Sequence, residues 1–316
     1  MASGKLIAVT GATGAQGGGL ARAILADKTG GFAVRALTRK PDSERAQALA
    51  GLGAEVVAAD LDDAASLEAA FEGAHGAFCV TNFWEHFSPD REQDQARRMA
   101  EAARNAGLRH VIWSTLEDVR QWVPLADDSM PTLMERYKVP HFDGKGAVDH
   151  VFTELAVPTT FLRVSFYWEN LIYFGMGPHR DDTGKLVFAL PLGDGKLPGI
   201  AAEDIGKCAY GIFRGGRRYV GRTIGVAGEH LTGAQMAAAL AEALGEDVQY
   251  YAITPEDYRA LGFPGAQDLG NMFQFQLENN EMFCAGRSVE TSRALNPELM
   301  NFADWLAENK DRIPVS

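Results

Sequence analysis

A chain of 316 residues, 46% hydrophobic and 23% charged, has the composition of an ordinary globular protein and the length for one large domain or a nucleotide domain with a smaller lobe. Its formal charge of −12 disfavours nucleic-acid and membrane-surface partners, and no apolar run approaches the ~20 residues of a membrane span. The three cysteines (Cys79, Cys208, Cys284) are odd in number and lack metal-ligand spacing, and no signal-peptide pattern opens the chain, which predicts a reduced cytoplasmic protein without a metal site.

Short apolar runs then alternate with amphipathic stretches. Leu6–Thr10 predicts a strand, followed by a glycine run and a helix over Gly18–Asp27. Further strands are predicted at Ala33–Thr38, Glu55–Ala59, Ala77–Val80, His110–Ser114 and Thr159–Val164. Helices are predicted between them at Ser43–Leu52, Asp63–Phe71, Asp90–Ala106 and Gly144–Glu154. The connections are too long for hairpins, so the fold class is α/β, a Rossmann-type doubly wound parallel sheet. Residues 1–165 are expected to form this parallel-sheet domain, to which later strands can return, and 166–316 a smaller α/β lobe. In that lobe helices are expected at Ala202–Phe213, Thr232–Ala243, Pro255–Leu261 and Asn301–Asn309, with strands at Thr223–Val226 and Val248–Ala252.

The first turn reads VTGATGAQGGG at residues 9–19. Gly11, Gly14 and Gly17 stand between strand and helix, where glycine lets the backbone approach a pyrophosphate and the helix N-terminus attracts it. Thr13 and Gln16 can add side-chain donors. An NAD site carries an acid at the end of the second strand; here Arg39 and Lys40 stand there. A guanidinium suits a 2′-phosphate, so NADP(H) is preferred, with NAD(H) still admissible. Asp60 and Leu61 follow the third strand and would sit near the adenine. Thr81, Asn82 and Phe83 follow the fourth and would lie beneath the pyrophosphate and nicotinamide ribose.

Beyond these motifs the chain contains GATGAQGG (11–18), VTNFWE (80–85), HFDGKG (141–146), FYWEN (166–170), TPEDYRALGFPGAQDLGNMFQF (254–275) and LNPELMNFADWL (295–306). These phrases span nearly the whole chain and resemble the NmrA-like branch of the atypical short-chain dehydrogenases/reductases, close to its human NADPH-sensing member. The resemblance implies dinucleotide contacts at Gly11, Thr13, Gly14, Ala15, Gln16 and Gly17, and a 2′-phosphate contact at Arg39. It also implies ribose or nicotinamide contacts at Asn82, Phe83, Lys145, Tyr167 and Asn170. Some members of that branch bind NADP(H) as regulators without hydride chemistry; others reduce quinones, dyes or plant phenolics.

The main superfamily carries Tyr-x-x-x-Lys beside the nicotinamide. Here His141-x-x-x-Lys145 stands at the corresponding place, one helical turn apart. Lys145 can hold the ribose, His141 is a proton donor suited to neutral pH, and Ser114 can polarise the substrate. A lone loop histidine satisfied by backbone groups is the competing reading. Trp84, Phe87, Trp168 and Phe273 are expected to wall a flat apolar pocket. The functional expectation is hydride transfer from NADPH to a small aromatic or quinone acceptor, including a tailoring step in which the reduced quinone then reacts with oxygen. The alternative is an NADP(H)-sensing regulator that binds a protein partner; a homodimer stays open under either.

Overall fold

The computed structural model describes residues 4–315. In chain order the first half comprises β1 Lys5–Val9, α1 Ala15–Ala26, β2 Phe32–Thr38, α2 Glu44–Gly51, β3 Glu55–Ala58, α3 Ala64–Phe71, β4 Gly76–Cys79, α4 Pro89–Asn105, β5 His110–Thr115, α5 Pro140–Gly146, α6 Asp149–Glu154 and β6 Thr159–Arg163. There follow β7 Phe166–Tyr167, α7 Asn170–Tyr173, β8 His179–Arg180, β9 Leu186–Ala189, β10 Lys196–Ile200, α8 Ala202–Gly215, β11 Thr223–Gly225, β12 Glu229–Thr232, α9 Gly233–Leu244 and β13 Val248–Tyr251. The chain closes with α10 Pro255–Ala260, α11 Ala266–Glu278, α12 Asn280–Ala285, α13 Val289–Leu295 and α14 Phe302–Asn309. No helix among the described residues is long and apolar enough to cross a membrane.

Seven parallel strands form the central sheet in the order β11-β6-β5-β4-β1-β2-β3. Side chains alternate across it: Ile7 and Val9 enter one buried cluster with Leu20, Phe78 and Ile112, while Ala8 enters the other with Phe71, Met99 and Trp113. The sheet is thus covered on both faces, which explains strands without a polar side. The reversal of strand order lies between β1 and β4, and there the crevice above the carboxyl ends opens. β11 comes from the second half of the chain yet extends this sheet beside β6. Helix α8 likewise returns to cross α1 closely, because a Cβ on Gly19 would stand 2.7 Å from the carbonyl oxygen of Glu203.

That contact explains one departure from expectation. The glycines of the first turn do not delay the helix: α1 begins at Ala15 and contains Gly17, Gly18 and Gly19. Packing against α8 and the end of β1 holds a helix that propensity alone disfavours. A second departure is the stretch Gly144–Glu154, which is two helices, α5 and α6, because Gly146 packs against the backbone of Glu117 and Asp118. A third is α11, a long helix where only a loop and an aromatic cluster were read.

Two smaller sheets, β12-β10-β7 and β13-β9-β8, carry the rest of the chain. A buried bidentate ion pair, Arg287 to Glu117 with both contacts at 2.8 Å, ties this region to the segment after β5. The Glu117 carboxyl is held below the usual carboxylate range, its desolvation being outweighed by Arg287 and Arg163.

Candidate active site

A cavity of about 1330 Å³ opens at the carboxyl ends of β1, β2, β4 and β5. It exceeds the ~300–1,000 Å³ of a drug-sized site and has room for a dinucleotide and a second molecule. A separate cleft of about 790 Å³ lies at the amino ends of the strands, among Lys5, His75, Arg104, Arg109 and Arg217.

The glycine turn forms the floor of the larger cavity. Gly11 has φ +58°, and a Cβ on Gly17 would stand 2.6 Å from the carbonyl oxygens of Thr10 and Gly11. Both positions therefore require glycine. Ser43, Asp63 and Ser88 cap α2, α3 and α4 with side-chain oxygens, whereas α1 has no side-chain cap. The first-turn amides at Ala15, Gln16 and Gly17 are thus left to an anion, and a dinucleotide pyrophosphate fits them. Thr13, Arg39, Lys40, Asp60 and Leu61 line the end of the cavity beside β2 and β3. Arg39 spans it to the Glu85 carboxylate at 2.5 Å, and both side chains are roughly half exposed.

Beneath the turn, three expected residues form one chain of hydrogen bonds. The Ser114 hydroxyl donates to Gln16 Oε1 at 2.8 Å, and Gln16 Nε2 donates to the Tyr167 hydroxyl. Burial pushes the Tyr167 phenol up, so it stays neutral. Asn170 lines the cavity at the start of α7. The neighbouring Glu169 also borders the cavity, its carboxylate accepting from Ala202 N at 2.9 Å and Trp305 Nε1 at 3.0 Å.

The structure gives Lys145 a partner that the sequence reading missed. Its Nζ lies 3.0 Å from Glu92 Oε1, 2.6 Å from Thr81 Oγ1 and 3.3 Å from the Thr81 carbonyl. The Thr81 hydroxyl donates onward to Glu92 at 2.7 Å. All three ammonium donors are engaged, so a ribose hydroxyl must replace one of them, most readily the long contact to the carbonyl. A signal for Glu92 existed: it shares the apolar stripe of α4 with Ala96, Met99 and Ala103, where an unpaired carboxylate would be costly.

His141 sits one turn earlier on α5. Its ring packs 4.9 Å from Trp84 and 6.0 Å from Phe83, and its Nδ1 lies 2.6 Å from Asp268 Oδ1. The other carboxylate oxygen accepts from the His141 backbone N–H at 3.2 Å. Asp268 comes from the first turn of α11 and escaped the sequence reading, although it lies inside the quoted 254–275 segment. Asp143, between His141 and Lys145, is structural: it accepts from the backbone of Lys138, Val139 and Val119, and burial raises its carboxyl to about 6.

Of the four aromatics expected as pocket walls, Trp84 lines the cavity and the others do not. Trp168 is core, between Phe302 and Trp305 and against Gly199. Phe273 is core because α11 turns that face toward Tyr258. Phe87 is exposed at the rim with φ 53°, packed on the outer side of Trp84. The walls are instead Phe142, Leu269, Met272 and Phe283, together with Gln276.

A parallel sheet that brings a glycine turn and an uncapped helix to the cavity at its strand-order reversal defines a Rossmann-type dinucleotide-binding protein. Residues 3–306 match the NmrA-like family, and the chain belongs to that family. The NmrA-like family domain-containing oxidoreductase malD of Malbranchea aurantiaca is 32% identical over 98% of this chain and 97% of its own. The corresponding oxidoreductase FrzB of Cladobotryum sp. is 30% identical over 92% and 89%. NmrA, a negative transcriptional regulator crystallised with NADP, superposes with a TM-score of 0.76 at 25% identity over 97% and 95% of the two chains.

Proposed function

We propose that this protein is a cytoplasmic NADPH-dependent reductase that delivers hydride to a quinone-like or aromatic acceptor. One observation carries the reading: an imidazole clamped by a buried carboxylate stands in an aromatic wall of the same cavity that holds the glycine turn.

The amides of Ala15–Gly17 would hold the pyrophosphate, Arg39 the 2′-phosphate, and Lys145, Asn82 and Asn170 the ribose side. The dinucleotide, when bound, supplies the hydride. An ionised carboxylate can only accept, so the proton of a neutral His141 resides on Nδ1, facing Asp268. Nε2 is then the ring nitrogen left to exchange a proton with a substrate. Hydride addition to a quinone leaves a stabilised phenolate-type anion, and one proton, given by water directly or through Nε2 of a His141 ring that has first taken one up from solvent, completes a two-electron reduction to the hydroquinone. That chemistry depends on positioning more than on a strong acid, which suits a chain lacking the superfamily tyrosine.

The test mixes purified protein, NADPH and a panel of quinones and follows the loss of nicotinamide absorbance. Turnover of none of them would defeat the proposal. A second reading is favoured by that missing tyrosine and by the likeness to a regulator: the chain senses NADP(H) redox state and binds a protein partner accordingly. Association with a partner that differs between NADP⁺ and NADPH, without quinone turnover, would select it.

A further inference from the structure

Four buried side-chain atoms among the described residues have no hydrogen-bond partner: His86 Nε2, Glu92 Oε2, Arg163 Nε and Gln276 Oε1. Of these residues, Gln276 is the one that lines the cavity, and it is only 3% exposed. A buried carboxamide oxygen left without a donor is costly, and native folds rarely keep one without use.

Its place on α11 gives the orphan meaning. Leu269, Met272 and Gln276 recur at spacings of three and four, so they present one helix face to the cavity. Asp268, which holds His141, stands eight residues before Gln276 on the same helix, about 12 Å along its axis. Leu269, Met272 and the rings of Phe142 and Phe283 line the same cavity. The two rings stack with centroids 6.4 Å apart and planes inclined by 20°. One helix thus carries the residue that positions the proton-transfer group and, two turns further on, a lone acceptor, with flat apolar surface alongside.

We propose that Gln276 is a specificity-determining residue: it accepts a hydrogen bond from a hydroxyl carried by the acceptor at the end remote from His141. The substrate class is then a polycyclic hydroxylated quinone rather than a bare or monocyclic one. This rests on the reductase reading above for the identity of the acceptor site.

The experiment compares the wild type with Gln276→Leu and the length-preserving Gln276→Met. Three probes are used: a hydroxynaphthoquinone, its methyl ether and unsubstituted naphthoquinone. KM and kcat are measured with NADPH, and binding to the NADP⁺ complex is followed by tryptophan fluorescence. In the wild type the hydroxylated probe should have a KM and a dissociation constant about three- to tenfold below those of the ether and the parent. Both substitutions should bring that ratio toward one, with kcat moving less than KM. Thermal melting should show no loss of stability, since the substitutions remove an unsatisfied group. Equal affinity for the three probes in the wild type, or a preference that survives both substitutions, would overturn the assignment. If no quinone is turned over but the hydroxyl preference in binding persists and vanishes in the variants, the reductase reading fails while the role of Gln276 stands.

Discussion

Nδ1 of His141 and Oδ1 of Asp268 lie 2.6 Å apart although 127 residues separate them in the chain. The first residue belongs to the Rossmann half and the second to α11, so the docking of that helix completes the site. Neither residue is informative alone. Together they fix a ring orientation and a tautomer.

Asp268→Asn should therefore disturb catalysis without disturbing the nucleotide. An amide can present its nitrogen to Nδ1 and so favour the opposite tautomer. Quinone turnover is expected to fall by about ten- to a hundredfold, with NADPH affinity changed less than about threefold. His141→Ala should lower turnover to the same level, and the double variant should add little. A full-rate Asp268→Asn enzyme would remove the dyad from the mechanism.

The Arg39–Glu85 ion pair bridges the cavity beside β2 and is half exposed, so its own stabilisation is slight. A 2′-phosphate would compete with Glu85 for the same guanidinium. Arg39→Glu should weaken NADPH binding about ten- to a hundredfold and NADH binding far less. Glu85→Gln should tighten NADPH a few-fold and leave NADH unmoved. Titration calorimetry with both nucleotides checks each sign; equal effects on the two would refute the phosphate role of Arg39.

Lys145 and Glu92 form a buried pair, the lysine nearly and the glutamate wholly covered. Glu92→Leu strands an ammonium and should cost about 3–5 kcal/mol in urea unfolding. Lys145→Met placed on top of it should restore much of that stability while leaving nucleotide affinity low. Recovery of neither quantity, or of both, would mean that the pair has some other purpose.

His110 supplies a pH signature far from the cavity. It is buried beside Phe213, hydrogen-bonded to the Thr160 hydroxyl at 2.8 Å, and burial pushes its pKa down to about 4. The unfolded chain takes up that proton near the usual 6.5, the folded chain only near 4. Between those values the unfolded state binds more protons, so stability contributed by the neutral ring is full above pH 6.5 and lost toward pH 4. The buried carboxyls of Asp143 and Asp149, both raised to about 6, act oppositely in the same range. The comparison must therefore be between the wild type and His110→Gln. The stability gap between them should shift against the wild type by up to about 3 kcal/mol from pH 7.5 to pH 4. A gap independent of pH would contradict the buried neutral imidazole.

The order of strands and helices through β6, the glycine turn and the Arg39 position were legible because they rest on local rules: alternation of apolar runs, capping residues, and glycine where only glycine fits. Gln16 and Tyr167 were expected at the cofactor and Ser114 as a substrate-polarising group, but their linkage into one chain was not. Glu92, Asp268 and Gln276 were missed altogether. Each sits on a helix whose burial depends on what packs against it, and periodicity does not name the partner face. The same limit misplaced Trp168, Phe273 and Phe87, since an aromatic in a stripe serves core and pocket equally well. The sequence by itself determined a nucleotide-cradling turn, because an anion-receptive backbone is built from neighbouring residues. Only the tertiary structure decided what faces the second half of the cavity, because that wall is made where α5 and α11, distant in the chain, are brought together by burial of their apolar surfaces.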